Sequence, residues 1–288
     1  MAITRHLAEL ILAEHRFLPI TGNVLLLGRQ EVYMTPGEAV ALVRKLGIEP
    51  KARAETGDFG GGLTHGFISD RSFFSLFSNA KVLTCDVTDH EGADLIFDLS
   101  GDLPLDVLGS FDFVYNGSVF DNVFDPAGCL KNVSRMLCPN GRVMGYEGMV
   151  HYRTSFAYIR FSPEWFFDYF AINGFADIQC YVASCKDFHR DRWKLYEWSP
   201  YDGEHFAADP ATEGELISLF VAQKASNSTV DRMPVQNYYR PDQEPFRQAF
   251  AQMEASTRRA HYRQIFRPSR QLWSRRSPSG YLPLASIG

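Results

Sequence analysis

No apolar run in this chain approaches the ~20 consecutive residues that a membrane-crossing helix needs, so no membrane partner is expected. Cysteine is scarce: there are 5, at positions 85, 129, 138, 180 and 185, and none lies in a Cys-x-x-Cys pair. An odd number without paired spacing argues against a disulfide framework and for reduced thiols in a cytoplasmic protein. Cys85 falls inside an apolar run and Cys138 at a helix end, which are places for small core residues rather than nucleophiles. A dominant charge is also missing. Lys and Arg number 29 against 34 Asp and Glu, a net charge of -5, which excludes a molecule built as a whole for nucleic acid. The opening residues, Met1 to His15, carry acids inside their apolar pattern, as a secretory signal does not. Leu7, Leu10 and Ile11 instead predict an amphipathic opening helix.

What is present is a series of short apolar runs, each closing on a polar or small residue. They read Asn23-Val-Leu-Leu-Leu-Gly28, Lys81-Val-Leu-Thr-Cys-Asp-Val87, Ala93-Asp-Leu-Ile-Phe-Asp-Leu99, Phe111-Asp-Phe-Val-Tyr-Asn-Gly-Ser118 and Gly141-Arg-Val-Met-Gly-Tyr-Glu147. Runs of this length suit strands buried on both faces, as in a parallel sheet. Ligands of open α/β sheets bind outside the carboxyl ends of the strands, so Asp86, Asp98, Asn116 and Glu147 are expected along one rim. Helices are expected between the strands. Thr35-Pro-Gly-Glu38 predicts a capped start for a helix over 39–46 that stops at Gly47. Ser69 to Phe77 is a short helix with Phe73, Phe74 and Phe77 on one face. Asp125-Pro126 starts a helix with Leu130, Val133, Met136 and Leu137 aligned. Ser162-Pro163 starts another that ends at Gly174. Segments 175–183 and 216–224 predict a closing antiparallel hairpin around an aromatic, irregular link. Residues 50–69 hold the glycine-rich stretch Gly57 to Gly66, expected as a flexible flap near the rim. Asp89-His90-Glu91 crowd one turn, where three adjacent side chains cannot all point inward, so no metal site is expected.

The stretch 111–145 resembles the class I S-adenosylmethionine-dependent methyltransferases. The likeness rests on Phe111-Asp-Phe-Val, Asn122-Val-Phe-Asp-Pro126 and Met136-Leu-Cys-Pro-Asn-Gly-Arg-Val-Met144, and extends in order over 23–224. It implies a Rossmann-like, seven-stranded, mostly parallel α/β sheet with an antiparallel closing hairpin, plus a C-terminal extension. It implies S-adenosylmethionine as cofactor. Asp86, with Val87 beside it, is matched to the acid that takes both ribose hydroxyls, Asp98 and Leu99 to the adenine wall, and Asn116, Gly117 and Ser118 to the rim facing the methionine portion. The turn after the first strand departs from the family. It reads Gly28-Arg29-Gln30, with one glycine where several are usual, so that Arg29 and Gln30 either reach the methionine carboxylate or close the pocket.

Methyl transfer to oxygen also needs a proton acceptor, for which Asp121, Glu147 and His151 are the candidates. The expected organisation is a methyltransferase-like domain over 1–224 and an arginine-rich extension over 225–288. Between Arg258 and Arg276 that extension holds arginines at 258, 259, 263, 267, 270, 275 and 276 and no acid: a solvated tail, a helix laid on the main domain, or a patch for an anionic substrate, phosphate or partner. The expected function is methylation of a hydroxyl on a small molecule or glycan, in biosynthesis, with a homo-oligomer left open. The alternative is a catalytically inactive module whose pocket is closed by Arg29-Gln30 and which acts by protein contact. A nicotinamide oxidoreductase shares the acid after the second strand, but the chain lacks both the Gly-x-Gly-x-x-Gly turn and a Tyr-x-x-x-Lys pair.

Overall fold

The computed structural model describes residues 2–57, 66–150, 157–189, 192–198, 200, 214–266 and 283–287. Two compact units divide the chain between Val143 and Met144. The domain division at 224/225 rests on a change in sequence character and stays a proposal.

In the first unit, α1 (Arg5–Phe17) is capped by Thr4 and buries Leu7, Leu10 and Ile11, the stripe its sequence predicts. Next come β2 (Asn23–Leu27), α2 (Pro36–Lys45), α3 (Asp70–Ser75), β4 (Lys81–Asp86), β5 (Leu95–Ile96), β6 (Phe111–Gly117) and α4 (Pro126–Met136). Two-residue strands β1 (Ala2–Ile3) and β3 (Glu31–Val32) make a separate parallel ladder that the sequence pattern did not predict. The predicted caps are formed. Thr35 and Glu38 close a reciprocal capping box, and Asp125 accepts from the Gly128 N–H. Each such cap typically contributes about 1 kcal/mol. The strand β7 (Leu137–Val150) starts here and ends in the second unit.

The sheet order is β7-β6-β2-β4-β5, and β2 pairs in parallel with both β4 and β6. The chain therefore passes from β2 to β4 and β5 on one side and returns to β6 on the other. The register sets Leu27 beside Cys85 and beside Asn116. Gly28, Asp86 and Gly117, one step further, form a row at the carboxyl edge. The α/β fold with a mostly parallel sheet is thus as expected. Two strands differ in extent. The run 93–98 keeps only Leu95 and Ile96 in the ladder because it is the sheet's edge and its alternate side chains face solvent. The run 141–147 is part of a longer strand that starts at Leu137 and continues through Pro139-Asn-Gly.

The second unit holds α5 (Pro163–Ile172), β8 (Ala176–Cys185), β9 (Trp193–Glu197), β10 (Glu215–Gln223), α6 (Glu244–Ala255), α7 (Thr257–Ile265) and β11 (Pro283–Ile287). Strands β8 and β10 are antiparallel, as expected of the closing pair. The link between them is not wholly irregular: β9 pairs with β8, and β11 pairs with β9, so both stand beyond the seven strands expected. Residues 244–265 form two helices, broken where Ser256 ends one and caps the next.

Core packing is strongly aromatic. Phe73, Phe74 and Phe77 are fully buried, with ring centroids 5.3–5.6 Å apart. Burying one such ring is worth about 1.5–3 kcal/mol. Phe77 also meets His15 at 5.0 Å, and the His15 Nδ1 accepts from the Ile20 N–H at 3.1 Å, which requires the neutral ring. Burial, and then the charges of Lys51 and Arg142, lower the His15 pKa from 6.5 to about 4. Between those values the unfolded chain takes up a proton that the folded chain refuses. His15 therefore contributes stability that is complete above pH 6.5 and is lost as the pH falls toward 4. Urea denaturation of wild type and His15→Gln at pH 7.5 and 5 checks this. Wild type should lose more stability than the variant over that interval, and equal losses would refute it.

Candidate functional site

Of the four residues expected along one rim, the first unit carries Asp86 and Asn116 at the carboxyl ends of β4 and β6 and Asp98 two residues past β5, while Glu147 belongs to the second unit; the row has two different halves. At the β4 end, Asp86 closes the strand and bends its side chain back into a turn. Its Oδ1 accepts from the Val87 N–H at 2.7 Å and the Thr88 N–H at 3.3 Å. Its second oxygen has no partner among the described residues. Val87 beside it is 64% exposed, and Ile96, opposite Asp86 in the ladder, is 48% exposed. An unengaged carboxylate oxygen flanked by bare aliphatic surface suits a ligand with a hydroxyl and a flat apolar ring. Asp98 lies two residues past Ile96, exposed, with Oδ1 accepting from the Ser100 hydroxyl at 2.6 Å and its N–H at 2.8 Å. Those two bonds hold its carboxyl below the usual range. Leu99 is buried under it, its carbonyl accepting from Asn132 at 2.9 Å.

The β2–β6 end is closed. Gly28 sits at φ 68°, in the left-handed region that glycine adopts without strain, and its N–H donates to Cys85 at 2.7 Å. Arg29 then turns away from the row. Its Nε and Nη2 reach the two oxygens of Asp70 at 2.8 and 3.0 Å, and its Nη1 donates to the Glu91 carbonyl at 3.2 Å. Burial pulls the guanidinium pKa down, but the bonds and charge of Asp70 outweigh that and raise it. Asp70, fully buried at the first position of α3, also accepts from the N–H groups of Gln30 at 3.0 Å and Arg71 at 2.8 Å. Sequence reasoning missed Asp70. The Ser69-Asp70 helix start was its only trace, and nothing in that pattern points 40 residues back to Arg29.

Gln30 is fully buried. Its Nε2 donates to the Leu27 carbonyl at 2.9 Å and the Gly28 carbonyl at 3.2 Å. Two carbonyl partners fix which end of the amide is nitrogen. The other end, Oε1, is buried without a hydrogen-bond partner among the described residues. An acceptor left so costs about 1–3 kcal/mol. The carboxamide lies flat on Gly117, where a methyl group built on that glycine would overlap it. Arg29 and Gln30 thus do not project together toward a ligand. The arginine is held by Asp70 and the glutamine fills the space over Gly117.

Beyond β6, Asn116 is buried and its Oδ1 accepts from the Val119 N–H at 3.0 Å. Ser118 stands at φ 65° and its hydroxyl donates to Asp121 at 3.2 Å, while Asn122 donates to the other Asp121 oxygen at 2.6 Å. Of the three expected proton acceptors, Asp121 lies on this loop. Glu147 is fully buried on the part of β7 that belongs to the second unit. His151 lies outside the described residues, as do residues 58–65 of the flap expected over 50–69. The flap's base is pinned: Thr56 bridges Ile68, and the Gly57 N–H donates to Phe67 at 3.0 Å. Burial pushes the Cys85 thiol up to about 12, in keeping with a core role. Among the described residues no group of His, Cys, Asp and Glu is arranged to hold a metal, and no helix is long and apolar enough to cross a membrane.

In the second unit a cleft of about 520 Å³ opens beside the end of α5, lined in part by Asn173, Asn227, Arg232 and Gln252. Its lining has no carboxylate, histidine or thiol, so it offers no general base. The arginines expected as an anionic-ligand patch are engaged where described. Arg258 pairs with Asp177 at 2.5 Å, Arg263 with Glu197 at 2.5 Å, and Arg259 with Glu254. For these three the helix laid on a protein surface is the correct alternative. Arg267, Arg270, Arg275 and Arg276 lie outside the described residues.

Residues 80–145 match a family model described as a methyltransferase domain. No curated protein matches the chain. Among solved structures, it is similar to the phosphoethanolamine N-methyltransferase 2 of Haemonchus contortus in complex with S-adenosyl-L-methionine, at 16% identity and a TM-score of 0.42, covering 75% of this chain and 52% of that one. The chain thus spans about half the length of that enzyme. It is also similar to a Haloferax volcanii methyltransferase bound to its Trm112 activator, at 16% identity and a TM-score of 0.41, covering 78% and 92%. A third is the CurJ carbon methyltransferase, at 13% identity and a TM-score of 0.41, covering 77% and 54%.

The Asp70 carboxylate is the hub of the turn, and its removal is expected to be costly. Asp70→Ala should lower unfolding free energy by about 1–3 kcal/mol, because it removes the carboxylate that the part-buried Arg29 guanidinium and the Gln30 and Arg71 N–H groups bond to. Asp70→Asn should lose less. Equilibrium urea unfolding measures both, and a change below about 1 kcal/mol for Asp70→Ala would contradict the role assigned to the carboxylate.

Proposed function

We propose, from a chain that carries a methyltransferase domain over residues 80–145, that it transfers a methyl group from S-adenosylmethionine to a hydroxyl of a small molecule or glycan. S-adenosylmethionine is the cofactor of that family, and it supplies a methyl carbon bound to sulfonium together with its leaving group. The protein has then to hold the adenosyl part, align the acceptor and take up the hydroxyl proton.

The observation that carries this proposal is Asp86. It stands at the carboxyl end of β4 with one oxygen tied into its own turn and the other unengaged. A carboxylate in that state accepts from vicinal ribose hydroxyls without losing a protein bond. Val87 and Ile96 supply apolar contact for the base, and Leu99 and Asp98 border it. The adenosyl half of the cofactor therefore fits the residues present. Gly28, Arg29, Gln30, Asn116, Gly117 and Ser118 are the residues proposed to border the methionyl half. Asp121 is the proposed proton acceptor on oxygen, its two oxygens oriented by Ser118 and Asn122. Glu147 and His151 remain candidates for the same step. The proposed location is the cytoplasm, in keeping with five free cysteines.

A second reading has its own observation. The carboxamide of Gln30 lies on Gly117, in the half of the rim where the methionyl part would run. That favours a non-catalytic module whose pocket is permanently closed. The predicted contact surface of that module, the arginine run, has three of its members already committed to carboxylates of the second unit.

Titration calorimetry with S-adenosylmethionine and S-adenosylhomocysteine separates the two. The enzyme predicts heat from both ligands, weakened about tenfold or more by Asp86→Ala, the loss expected for hydrogen bonds to a charged group. No heat from either ligand with the wild-type chain would end the proposal. Mass spectrometry of methylated products from hydroxyl, amine and carbon acceptors then decides the acceptor atom, and transfer to amine or carbon alone would overturn the hydroxyl assignment.

A further inference from the structure

In an open parallel sheet the ligand crevice lies at the carboxyl ends, where the order of the strands reverses. Here that place is between β2 and β6, from which the chain proceeds to β4 and β5 on one side and to β6 and β7 on the other. Leu27 of β2 and Asn116 of β6 are partners across it. The crevice is filled from within. The Gln30 side chain, three residues past Leu27, is fully buried over Gly117, and a methyl group on that glycine would overlap its Oε1, Cδ and Nε2. Arg29, next to Gln30 in the turn, is drawn out of the row by Asp70.

We propose that Gln30 is the residue that sets which adenosine-bearing ligand the site admits, its carboxamide standing in the crevice for the polar tail of the ligand. The proposal rests on the reading of the first unit as an adenosyl-cofactor site and adds a cost that is borne by one part of that ligand.

The chemistry of the stand-in is specific. Nε2 presents N–H donors to the Leu27 and Gly28 carbonyls. A ligand tail ending in an ammonium group presents N–H donors to the same two carbonyls, so it replaces what it displaces. Oε1 has no donor among the described residues in the closed state. Moving the side chain out therefore sacrifices no bond on that end and lets the oxygen reach water. The side chain is held by two bonds at one end only, and it is exchangeable. Asp86, Val87 and Ile96 lie at the other end of the row and do not touch it. A plain nucleoside binds there without disturbing Gln30, whereas a nucleoside carrying an amino-acid tail has to swing the carboxamide aside first. Competition of this kind reduces apparent affinity by the fraction of molecules that are open.

Calorimetry on the full chain with two probes, adenosine and S-adenosylhomocysteine, tests it. For Gln30→Ala we expect S-adenosylhomocysteine to bind about tenfold tighter or more, and adenosine to change by less than about twofold. Gln30→Ser serves as the second variant, and a cooperative melt for either one shows that the fold is kept. Gly117→Ala should weaken S-adenosylhomocysteine, since its methyl group then takes the space. Binding by Gln30→Ala with a silent wild type would support the same conclusion. If the wild type binds S-adenosylhomocysteine in an Asp86-dependent way and both Gln30 variants bind it equally or more weakly, the role of Gln30 is overturned and the methyltransferase reading stands. If neither the wild type nor the Gln30 variants bind either probe, the cofactor site itself is refuted and this inference falls with it.

Discussion

One buried carboxylate organises the turn on which the site depends. Asp70 takes both nitrogens of the Arg29 fork, the Gln30 N–H and the Arg71 N–H. A glycine-rich turn needs no such anchor, because it has no side chains to direct. A turn written Gly-Arg-Gln has two long ones, and without a partner the guanidinium would lie free beside the carboxyl edge. Buried ion pairs are weak sources of net stability, since desolvation offsets much of the attraction. What Asp70 contributes is direction. It draws the arginine toward α3, fixes the Gln30 backbone, and so delivers the Gln30 side chain to Gly117. The carboxylate lies at the start of α3, where it also accepts from the Arg71 N–H.

The central strands β2 and β6 were legible in the chain because they bury most of their residues, so their runs are dominated by apolar letters. Val24 to Leu27 and Phe113 to Tyr115 show this. The rim acid Asp86 and the glycines at 28 and 117 were legible for a related reason. A parallel register places the residue after each run at a common level, so sequence position alone locates them. The strand β9 was harder. In Trp-Lys-Leu-Tyr-Glu the buried face is Trp193, Leu195 and Glu197, and the last of these is an acid that hydrophobic alternation cannot recognise. Glu197 is buried because Arg263 and Arg259 come to it from 66 and 62 residues away. Asp70 escaped notice in the same manner. Both are charged residues whose place is decided by a distant opposite charge, and period-based patterns carry no record of that.

The arginine run shows the converse error. Seven like charges without an acid suggest a solvated or ligand-facing surface. Yet Arg258 and Arg259 are as buried as core leucines, and each has a carboxylate or a carbonyl at its guanidinium. The acids are supplied by β8, β9 and α6, not by neighbours in sequence. Helix α7 is thus held by buried arginines paired with distant acids together with Tyr262 stacked on Tyr181, and its other residues are exposed or half-buried, which explains why its sequence is so polar.

The two halves of the rim differ in more than shape. At the Asp86 end the row ends in exposed aliphatic side chains and an unengaged carboxylate oxygen, so a ligand there removes apolar surface from water and gains bonds at little cost. At the Gln30 end Gln30 and Asn116 are already buried and hydrogen-bonded, and whatever enters has to replace hydrogen bonds that exist. Affinity for the first half is thus set by contact, while affinity for the second is a difference between two nearly equal sets of bonds. The orphaned Oε1 of Gln30 biases that difference toward opening, since leaving the crevice is how it gains a partner. A site so divided holds a nucleoside by one end and tests the other end for an N–H donor, which makes discrimination between tailed and tailless ligands a property of a single side chain rather than of the whole pocket.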